Sequence, residues 1–285
     1  MATAVGERRL SPEVFRLLRE VIYDYCGIFF PDDNAYIVHR RLQPRLDALS
    51  LVDFGEYYRY LRSCDPAQRK AELEEIVDRV TTNETYFFRE NYQLDAFRNE
   101  ILPEIYQARP RGRRLSVWSA GCASGEEAYT IAILIQETGL FADWEVRVFG
   151  NDISRRCLQV ARKGQYGRNS FRSTDERLLR RYFRELDGKQ QIRDEVRSLC
   201  SFGQINLMDE HMMRLVGDVD VVFCRNVLIY FDQTSRKKVI ATLHGKLVKG
   251  GYLLLGHSES LINLTTAFDL VHLKNDMVYR KPLHG

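Results

Sequence analysis

A short glycine-containing segment, residues 119–127, carries the residue types that most readily predict a ligand-binding site. Gly121 and Gly125 lie within it, and Glu126 and Glu127 lead from it into an apolar run typical of a helix. Glycine lets the backbone approach a ligand closely because it lacks a Cβ. The segment matches neither common phosphate-binding glycine motif, and a carboxylate here disfavours a pyrophosphate. The turn therefore suits a ligand with hydroxyls or a positive charge, such as S-adenosylmethionine (SAM). An ordinary strand–helix turn with solvated glutamates would use the same residues.

Polar residues also follow other runs of apolar sequence that are predicted to be strands. Asp152 follows residues 146–150, Asn206 follows 200–205, and Asn226 follows a nearly continuous apolar run at 219–224. In an open α/β sheet, ligands bind outside the carboxyl ends of the strands. An acidic residue after the second strand is where such sheets bind ribose hydroxyls. We therefore predict that these side chains line one ligand-binding edge.

Six sequence blocks, taken together, resemble the CheR family of SAM-dependent chemoreceptor glutamate methyltransferases. The blocks follow the order of the family and cover nearly the whole chain. They are Thr-Asn-Glu-Thr-Tyr-Phe-Phe-Arg-Glu at 82–90 and the segments 119–127, 149–154, 205–207, 224–231 and 256–259. The resemblance implies methyl transfer from SAM to glutamate carboxylates, with S-adenosylhomocysteine as the product.

The resemblance also implies an α/β fold with two domains. We expect a doubly wound, mostly parallel class I methyltransferase sheet, preceded by an all-helical N-terminal domain that contacts the receptor. Helical spacing of apolar residues up to about residue 80, followed by strands alternating with helices, agrees with this order. We predict domains at 1–80 and 81–285, with a small antiparallel β-subdomain inserted at about 168–204.

The family blocks assign functions to individual residues of the predicted methyltransferase domain. Glu126 would hold the ammonium group of SAM, and Asp152 would hold the ribose. The remaining residues that would line the SAM pocket are Gly121 at the turn, Asn83, Thr85 and Arg89 beside the methionine part, Asn206 and Leu207 beside the adenine, and Asn226 and Val227. Arg89 and Tyr230 are the candidate catalytic residues near the acceptor; packing and an ion pair are the alternative roles for these two side chains.

A locally basic segment in the helical domain is the candidate receptor contact. Arg41 and Arg45 are four residues apart, which places both on one side of a helix, although Pro44 can bend or end that helix. The resemblance implies that this domain meets the helical cytoplasmic domain of chemoreceptors, which carries acidic residues. The alternative is a solvated helix face.

The composition of the chain argues against several other classes of protein. The 285 residues carry a net charge of only +3, so bulk charge gives no support for nucleic-acid binding. Six cysteines without a C-x-x-C pair, and histidines without an H-E-x-x-H pattern, predict neither disulfides nor a metal site. We find no secretory signal and no apolar run long enough to span a membrane. We therefore expect a cytoplasmic monomer without direct membrane insertion.

Two other function classes remain open at this point. One is a SAM-dependent methyltransferase that acts on nucleic acid or a small molecule, and the other is a non-enzymatic SAM-sensing adaptor. The presence of Arg89 and Tyr230 argues against the adaptor. A serine hydrolase is disfavoured because the segment 256–260 lacks the closing glycine of G-x-S-x-G. The sequence leaves open whether the β-subdomain binds a C-terminal receptor tether.

Overall fold

The computed structural model describes residues 9–109, 113–274 and 276–284. The chain forms two compact units. The helical unit comprises the residues up to Thr82 together with Tyr230–Ser235, and the sheet unit comprises Asn83–Ile229 and the residues from Arg236 onward. Each unit is described by itself below.

The helical unit is built from amphipathic helices whose ends follow local sequence signals. Its helices are α1 Pro12–Cys26, α2 Ala35–Ala48, α3 Phe54–Ser63 and α4 Pro66–Val80. Ser11 caps α1 through its side chain, and Gly27 ends α1 with a left-handed φ of 73°. Asp53, the N-cap of α3, accepts a hydrogen bond from the Glu56 backbone nitrogen at 2.7 Å. Helix α2 continues through Pro44 to Ala48 and does not end at the proline.

The sheet unit contains a seven-stranded sheet and a separate three-stranded sheet. The strands are β1 Arg114–Ala120, β2 Glu145–Asp152, β3 Gln165–Tyr166, β4 Phe183–Leu186, β5 Lys189–Ile192, β6 Cys200–Gln204, β7 Val219–Cys224, β8 Leu247–Leu255, β9 Asp269–His272 and β10 Met277–Arg280. The remaining helices are α5 Asn91–Ala96, α6 Leu102–Ala108, α7 Glu126–Thr138, α8 Arg155–Lys163, α9 Glu176–Tyr182, α10 Asp194–Arg197, α11 Glu210–Met213 and α12 Gln233–Lys246.

The large sheet has the order β6-β2-β1-β7-β8-β10-β9. All neighbouring pairs from β6 to β8 are parallel, whereas β10 runs antiparallel to both β8 and β9. Every residue of β7 is buried, and β1 is buried except at its first residue, as central parallel strands must be. The chain leaves β1 for β2 on one side and later returns to β7 on the other. The strand order therefore reverses between β1 and β7, the position where sheets of this type bind ligands.

The small sheet has the order β3-β5-β4 and is antiparallel. Asp187 and Gly188 both have positive φ, at 52° and 70°, and form the tight turn between β4 and β5. The fold-class prediction is thus confirmed: a helical N-terminal part, a mostly parallel sheet and a small antiparallel sheet.

Two local features differ from the sequence pattern. The pattern predicts a helix over 172–183, but α9 begins only at Glu176, where Asp175 caps it. The pattern also predicts a turn at 249–251, but β8 runs through these residues with a register irregularity opposite β7. Gly250 supplies the left-handed φ of 75° at this irregularity, so pairing with β7 continues past it.

No helix in the part of the chain that the structure describes is long and apolar enough to cross a membrane.

Asn151, at the end of β2, links three neighbouring parts of the large sheet and generates a stability prediction. Its side chain accepts from Trp118 Nε1 at 2.7 Å and donates to the Ile205 carbonyl at 2.9 Å, and Asn151 itself is fully buried. Asn151→Ala leaves both buried partners without a hydrogen bond, which we expect to cost about 2–4 kcal/mol of unfolding free energy. Urea denaturation measures this. Replacing the exposed Asn169 by alanine is the control and should change the free energy by no more than about 0.5 kcal/mol. Equal effects in both variants would contradict the linking role.

Candidate active site

The turn between β1 and α7 is held in a conformation that needs glycine. Gly121, Ala123 and Gly125 have positive φ angles of 77°, 46° and 92°. The backbone nitrogens of Gly121 and Cys122 both donate to the Asn151 carbonyl, at 2.9 and 2.8 Å, which fixes the turn against β2. A Cβ added at Gly121 would lie 2.5 Å from Val227 Cγ2. The turn backbone therefore approaches the loop after β7 more closely than any side chain would allow.

Glu126, the first residue of α7, is a buried carboxylate. It is only 3% exposed, and its two oxygens accept from the hydroxyls of Ser124, at 2.7 Å, and Ser170, at 3.0 Å. Burial raises the pKa of Glu126, while these two hydrogen bonds oppose the rise. Among the described residues, no cationic side chain pairs with it. Glu126 is therefore electrostatically suited to a cationic ligand group.

Asp152, at the end of β2, organises backbone around its carboxylate. One oxygen accepts from the Ala123 backbone nitrogen at 2.8 Å, and the other accepts from the Ser154 backbone nitrogen at 2.8 Å. These bonds join the turn after β1 to the start of α8. Asp152 therefore uses both carboxylate oxygens to hold the backbone at this edge of the sheet.

The predicted residues after β6 and β7 lie on loops at the same edge of the sheet as Glu126 and Asp152. The Asn206 side chain accepts from the Met208 backbone nitrogen at 3.0 Å, which turns the chain just after the half-buried Leu207. Asn226 has a φ of 60°, and Val227 beside it contacts the turn at Gly121. The sheet thus brings the predicted residues from four strand ends to one edge, around the point where the strand order reverses.

The segment that contains Asn83, Thr85 and Arg89 is irregular and is anchored by its aromatic residues. The Phe87 ring stacks on Phe171 at 5.0 Å and meets Phe183 edge-on at 5.0 Å. Its backbone nitrogen donates to the Ser170 carbonyl at 2.9 Å. Residues Arg168–Phe171 form a short 3-10 helix, which therefore supplies both the anchor for Phe87 and the Ser170 hydroxyl that donates to Glu126.

Backbone strain surrounds Arg89. Phe88 and Glu90, on either side of it, both have a φ of 58°, a left-handed conformation that is costly for residues with a side chain. The Phe88 nitrogen donates to Thr130 Oγ1 at 3.2 Å. The Arg89 guanidinium donates to the Glu84 carbonyl at 2.8 Å and lies 5.8 Å from the Tyr86 ring. Such strain persists only where surrounding contacts enforce it.

Arg225, for which no sequence pattern predicted a role, supplies contacts that enforce this conformation. Its side chain is 2% exposed and donates to the Arg89 carbonyl at 2.7 Å and to the Glu90 carboxylate at 2.9 Å. It also donates to Glu127 at 3.3 Å, and Glu127 accepts from Ser119 at 2.7 Å. Arg225 therefore links β1, α7 and the Arg89 segment.

Burial and the charge of Arg225 together shift the pKa values of the two carboxylates in this cluster. Burial would raise the pKa of Glu90, but the positive charge of Arg225 and its hydrogen bond hold that pKa below the usual value. Burial raises the pKa of Glu127 despite the opposing charge of Arg225. The available sequence signal was the Arg225-Asn226 pair directly after the nearly continuous apolar run at 219–224, since a charge at that position must be buried and paired.

The other predicted site residues belong to the helical unit. Arg45 makes a two-pronged ion pair with Glu72, at 2.7 and 2.6 Å, and Glu72 also accepts from the Tyr57 hydroxyl. Arg41 donates to the Val80 carbonyl and, at 2.9 Å, to Thr82 Oγ1. The Tyr230 hydroxyl donates to the Thr82 carbonyl at 3.1 Å. Both arginines therefore have partners within the chain, while their contact with a receptor stays a prediction.

Comparison with known families accounts for both units. The family model of the CheR methyltransferase SAM binding domain matches residues 83–277, and that of the CheR methyltransferase all-alpha domain matches residues 13–81. Among solved structures, the N-methyltransferase NodS from Bradyrhizobium japonicum, in complex with S-adenosylhomocysteine, is 16% identical with a TM-score of 0.38. That alignment covers 65% of this chain and 89% of NodS, and this weak likeness contributes nothing to the assignment.

Curated relatives match over nearly the full length. Chemotaxis protein methyltransferase 2 of Vibrio cholerae serotype O1 is 34% identical over 273 residues, which are 95% of this chain and 93% of that protein. The chemotaxis protein methyltransferase of Salmonella typhimurium is 36% identical over 265 residues, which are 92% of this chain and 88% of that protein. The chain therefore belongs to the CheR family of SAM-dependent chemotaxis protein methyltransferases.

Proposed function

We propose that this protein transfers a methyl group from SAM to glutamate side chains of chemoreceptors in the cytoplasm, forming glutamate methyl esters. Membership of the family and relatives named chemotaxis protein methyltransferases support the proposal. The single observation within the site that carries it is the buried Glu126 carboxylate, which pairs with two hydroxyls and with no described cation. A carboxylate in this state is complementary to the ammonium group of an amino-acid ligand.

The donor and acceptor groups at the sheet edge fit SAM. Glu126 would pair with the ammonium group, and the Asp152 carboxylate, at the end of β2, would accept from the ribose hydroxyls. The backbone at Gly121, whose added Cβ would overlap Val227, would let the ligand lie against the turn. The other proposed pocket residues are Asn83, Thr85, Arg89, Asn206, Leu207 and Asn226. When bound, SAM supplies a methyl group activated by a positively charged sulfur.

The protein needs little acid–base chemistry for this reaction. A glutamate acceptor has a reference pKa near 4.3 and is already ionised at neutral pH. Orientation of the acceptor is then the main contribution, and favourable positioning can contribute about 7–11 kcal/mol. We propose that Arg89 and Tyr230 orient the acceptor carboxylate, the first through its positive charge and the second through its hydroxyl.

We propose that the helical unit meets the helical cytoplasmic domain of chemoreceptors through the basic side of α2. Arg41 and Arg45 are half-buried and engaged within the chain, whereas the adjacent Arg40 is exposed. Charge on this surface would increase the encounter rate and set the docking register more than it would increase affinity.

The experiment that tests the proposed function uses receptor-containing membranes and SAM with a labelled methyl group. Carboxyl methyl esters release methanol in alkali, so the proposal requires base-labile label on the receptors. Base-stable label on nucleic acid or on a small molecule would favour a methyltransferase with another substrate. SAM binding without any transfer would favour a non-enzymatic adaptor.

The buried charge of Glu126 generates a paired prediction for binding and stability. Because burial raises the pKa of Glu126, the folded protein binds a proton there more tightly than the unfolded chain does. Stability therefore falls as pH rises from the usual carboxyl range through the raised pKa. We expect Glu126→Gln to leave the melting temperature of the ligand-free protein unchanged or higher at neutral pH. The same variant should raise the Kd for SAM at least tenfold, or about 1.4 kcal/mol, in calorimetry.

The matched control for this prediction is Glu185→Gln, which removes an exposed carboxylate of β4. It should change neither the melting temperature nor the Kd for SAM. An unchanged SAM affinity in Glu126→Gln would refute the ammonium assignment.

The acceptor-orienting role generates a second prediction, because Arg89 and Tyr230 would act on the receptor more than on SAM. Arg89→Ala and Tyr230→Phe should each lower kcat/KM for the receptor at least tenfold, with a smaller change in SAM affinity. The control for Arg89 is Arg172→Ala, which removes a guanidinium 3.8 Å from the same Tyr86 ring. If Arg89→Ala behaves like this control, Arg89 has only a packing role.

The basic side of α2 generates a third prediction. Arg41→Gln should lower the rate of receptor methylation several-fold at low salt, and the difference from wild type should shrink as salt is added, since salt screens the attraction to an approaching acidic surface over about 8–10 Å at 0.1–0.15 M. SAM affinity should stay the same. Arg62→Gln, at an exposed arginine of α3, is the control. Wild-type rates in Arg41→Gln at every salt concentration would indicate that Arg41 serves only its contacts within the chain.

A further inference from the structure

Glu259, in the loop after β8, accepts four backbone hydrogen bonds through one carboxylate. Its Oε2 accepts from the nitrogens of Asn226 and Gly256, both at 2.7 Å. Its Oε1 accepts from the nitrogens of Val227, at 2.9 Å, and Ile229, at 3.3 Å. An ionised carboxylate has about four acceptor positions, so these backbone groups use its capacity fully.

Three of the four donors belong to the loop after β7. This loop contains Asn226 and Val227, which are expected to line the SAM pocket. Strands β7 and β8 are parallel neighbours, with Cys224 opposite Leu255, so their following loops meet at the same edge of the sheet. A neutral side chain would offer these converging nitrogens fewer acceptor sites. Charge-assisted hydrogen bonds of this kind are roughly twice as strong as neutral ones.

The loop after β7 has a left-handed residue and lies close to the loop after β8. Asn226 has a φ of 60°, in the left-handed region. A Cβ added at Gly256 would lie 2.8 Å from the Asn226 nitrogen and 2.9 Å from its Nδ2, so the two loops are in close contact. Among the described residues, Glu259 forms no ion pair. Its negative charge is therefore directed entirely at backbone N–H groups.

We propose that Glu259 is a positioning residue that holds Asn226 and Val227 in the conformation that binds SAM. This inference rests on the proposed function, because it assumes that these two residues line the SAM pocket. Glu259 touches neither reacting group; it acts through the backbone of the loop. Loss of its charge would release three N–H groups at once and let the loop leave the left-handed conformation at Asn226.

The test compares ligand-free wild type with Glu259→Gln and Glu259→Asp by hydrogen exchange and SAM binding. Glutamine keeps the size of the side chain but replaces one acceptor oxygen with an NH2 donor group. This group would face backbone N–H groups from which it cannot accept a hydrogen bond. We expect exchange at Asn226, Val227 and Ile229 to become at least tenfold faster in Glu259→Gln. The Kd for SAM should rise at least tenfold in Glu259→Gln. In Glu259→Asp, which keeps the charge on a shorter side chain, the increases in exchange rate and in Kd should both be smaller.

The matched control is Glu100→Gln in the same unit, because Glu100 also accepts a backbone hydrogen bond, from the Lys274 nitrogen at 2.8 Å. It should leave both the exchange of the loop after β7 and the SAM affinity unchanged. A global loss of stability in Glu259→Gln would appear as faster exchange in β1 and β7 as well. In that case Glu259→Asp would not slow exchange specifically in the loop after β7.

Two results would overturn the proposal. One is unchanged exchange at Asn226, Val227 and Ile229 in Glu259→Gln, and the other is faster exchange there with unchanged SAM affinity. The proposed function fails separately: wild type that binds SAM but leaves receptors unmethylated contradicts the acceptor, while the exchange and SAM-binding comparisons still decide the role of Glu259.

Discussion

The hydrogen bonds at the end of β2 are the constraint on which the ligand-binding edge depends. Asn151 fixes the Trp118 side chain and the chain after β6, and its carbonyl fixes the turn after β1. Asp152 then binds that turn again through the Ala123 nitrogen. Because these groups are buried, each lost bond leaves an unsatisfied polar atom, so the turn has one stable position.

The fixed turn holds Glu126 in an electrostatically unfavourable position. Glu126 is buried without a cationic partner, a state that lowers the stability of the ligand-free protein. Two hydroxyls reduce the cost but do not neutralise the charge. A cationic ligand would complete the pairing, so the electrostatic energy that the fold loses at Glu126 becomes binding energy for that ligand.

Arg225 and Glu259 extend the same principle to the loop after β7. Arg225 is a buried cation that binds two carboxylates and a carbonyl, and Glu259 is an anion that binds four backbone nitrogens. Each holds a backbone segment that contains left-handed residues without glycine: Phe88 and Glu90 in one segment, Asn226 in the other. The strain in these segments is thus offset by buried charge.

The sequence by itself was sufficient for the family and the fold class, and it predicted a ligand-binding edge. These depend on local signals: apolar runs, glycines at the turn, and polar residues at strand ends such as Asp152 and Asn226. The dipeptide Asp187-Gly188 is likewise a local signal for a tight turn, because two residues with positive φ are a local requirement of short hairpins. Local sequence predicts a turn at 249–251, but pairing with β7 resumes at Tyr252, so β8 continues past the left-handed Gly250.

Only the tertiary structure decided which charges are partners. Arg45 lies in a locally basic segment, yet its partner Glu72 is on another helix. Glu259 was part of a recognised block, but its four donors include three nitrogens from a loop about 30 residues earlier in the chain. Hydrogen bonds and ion pairs act over a few ångströms in space. Folding brings together groups that are far apart along the chain, so their positions in the sequence do not indicate the contact.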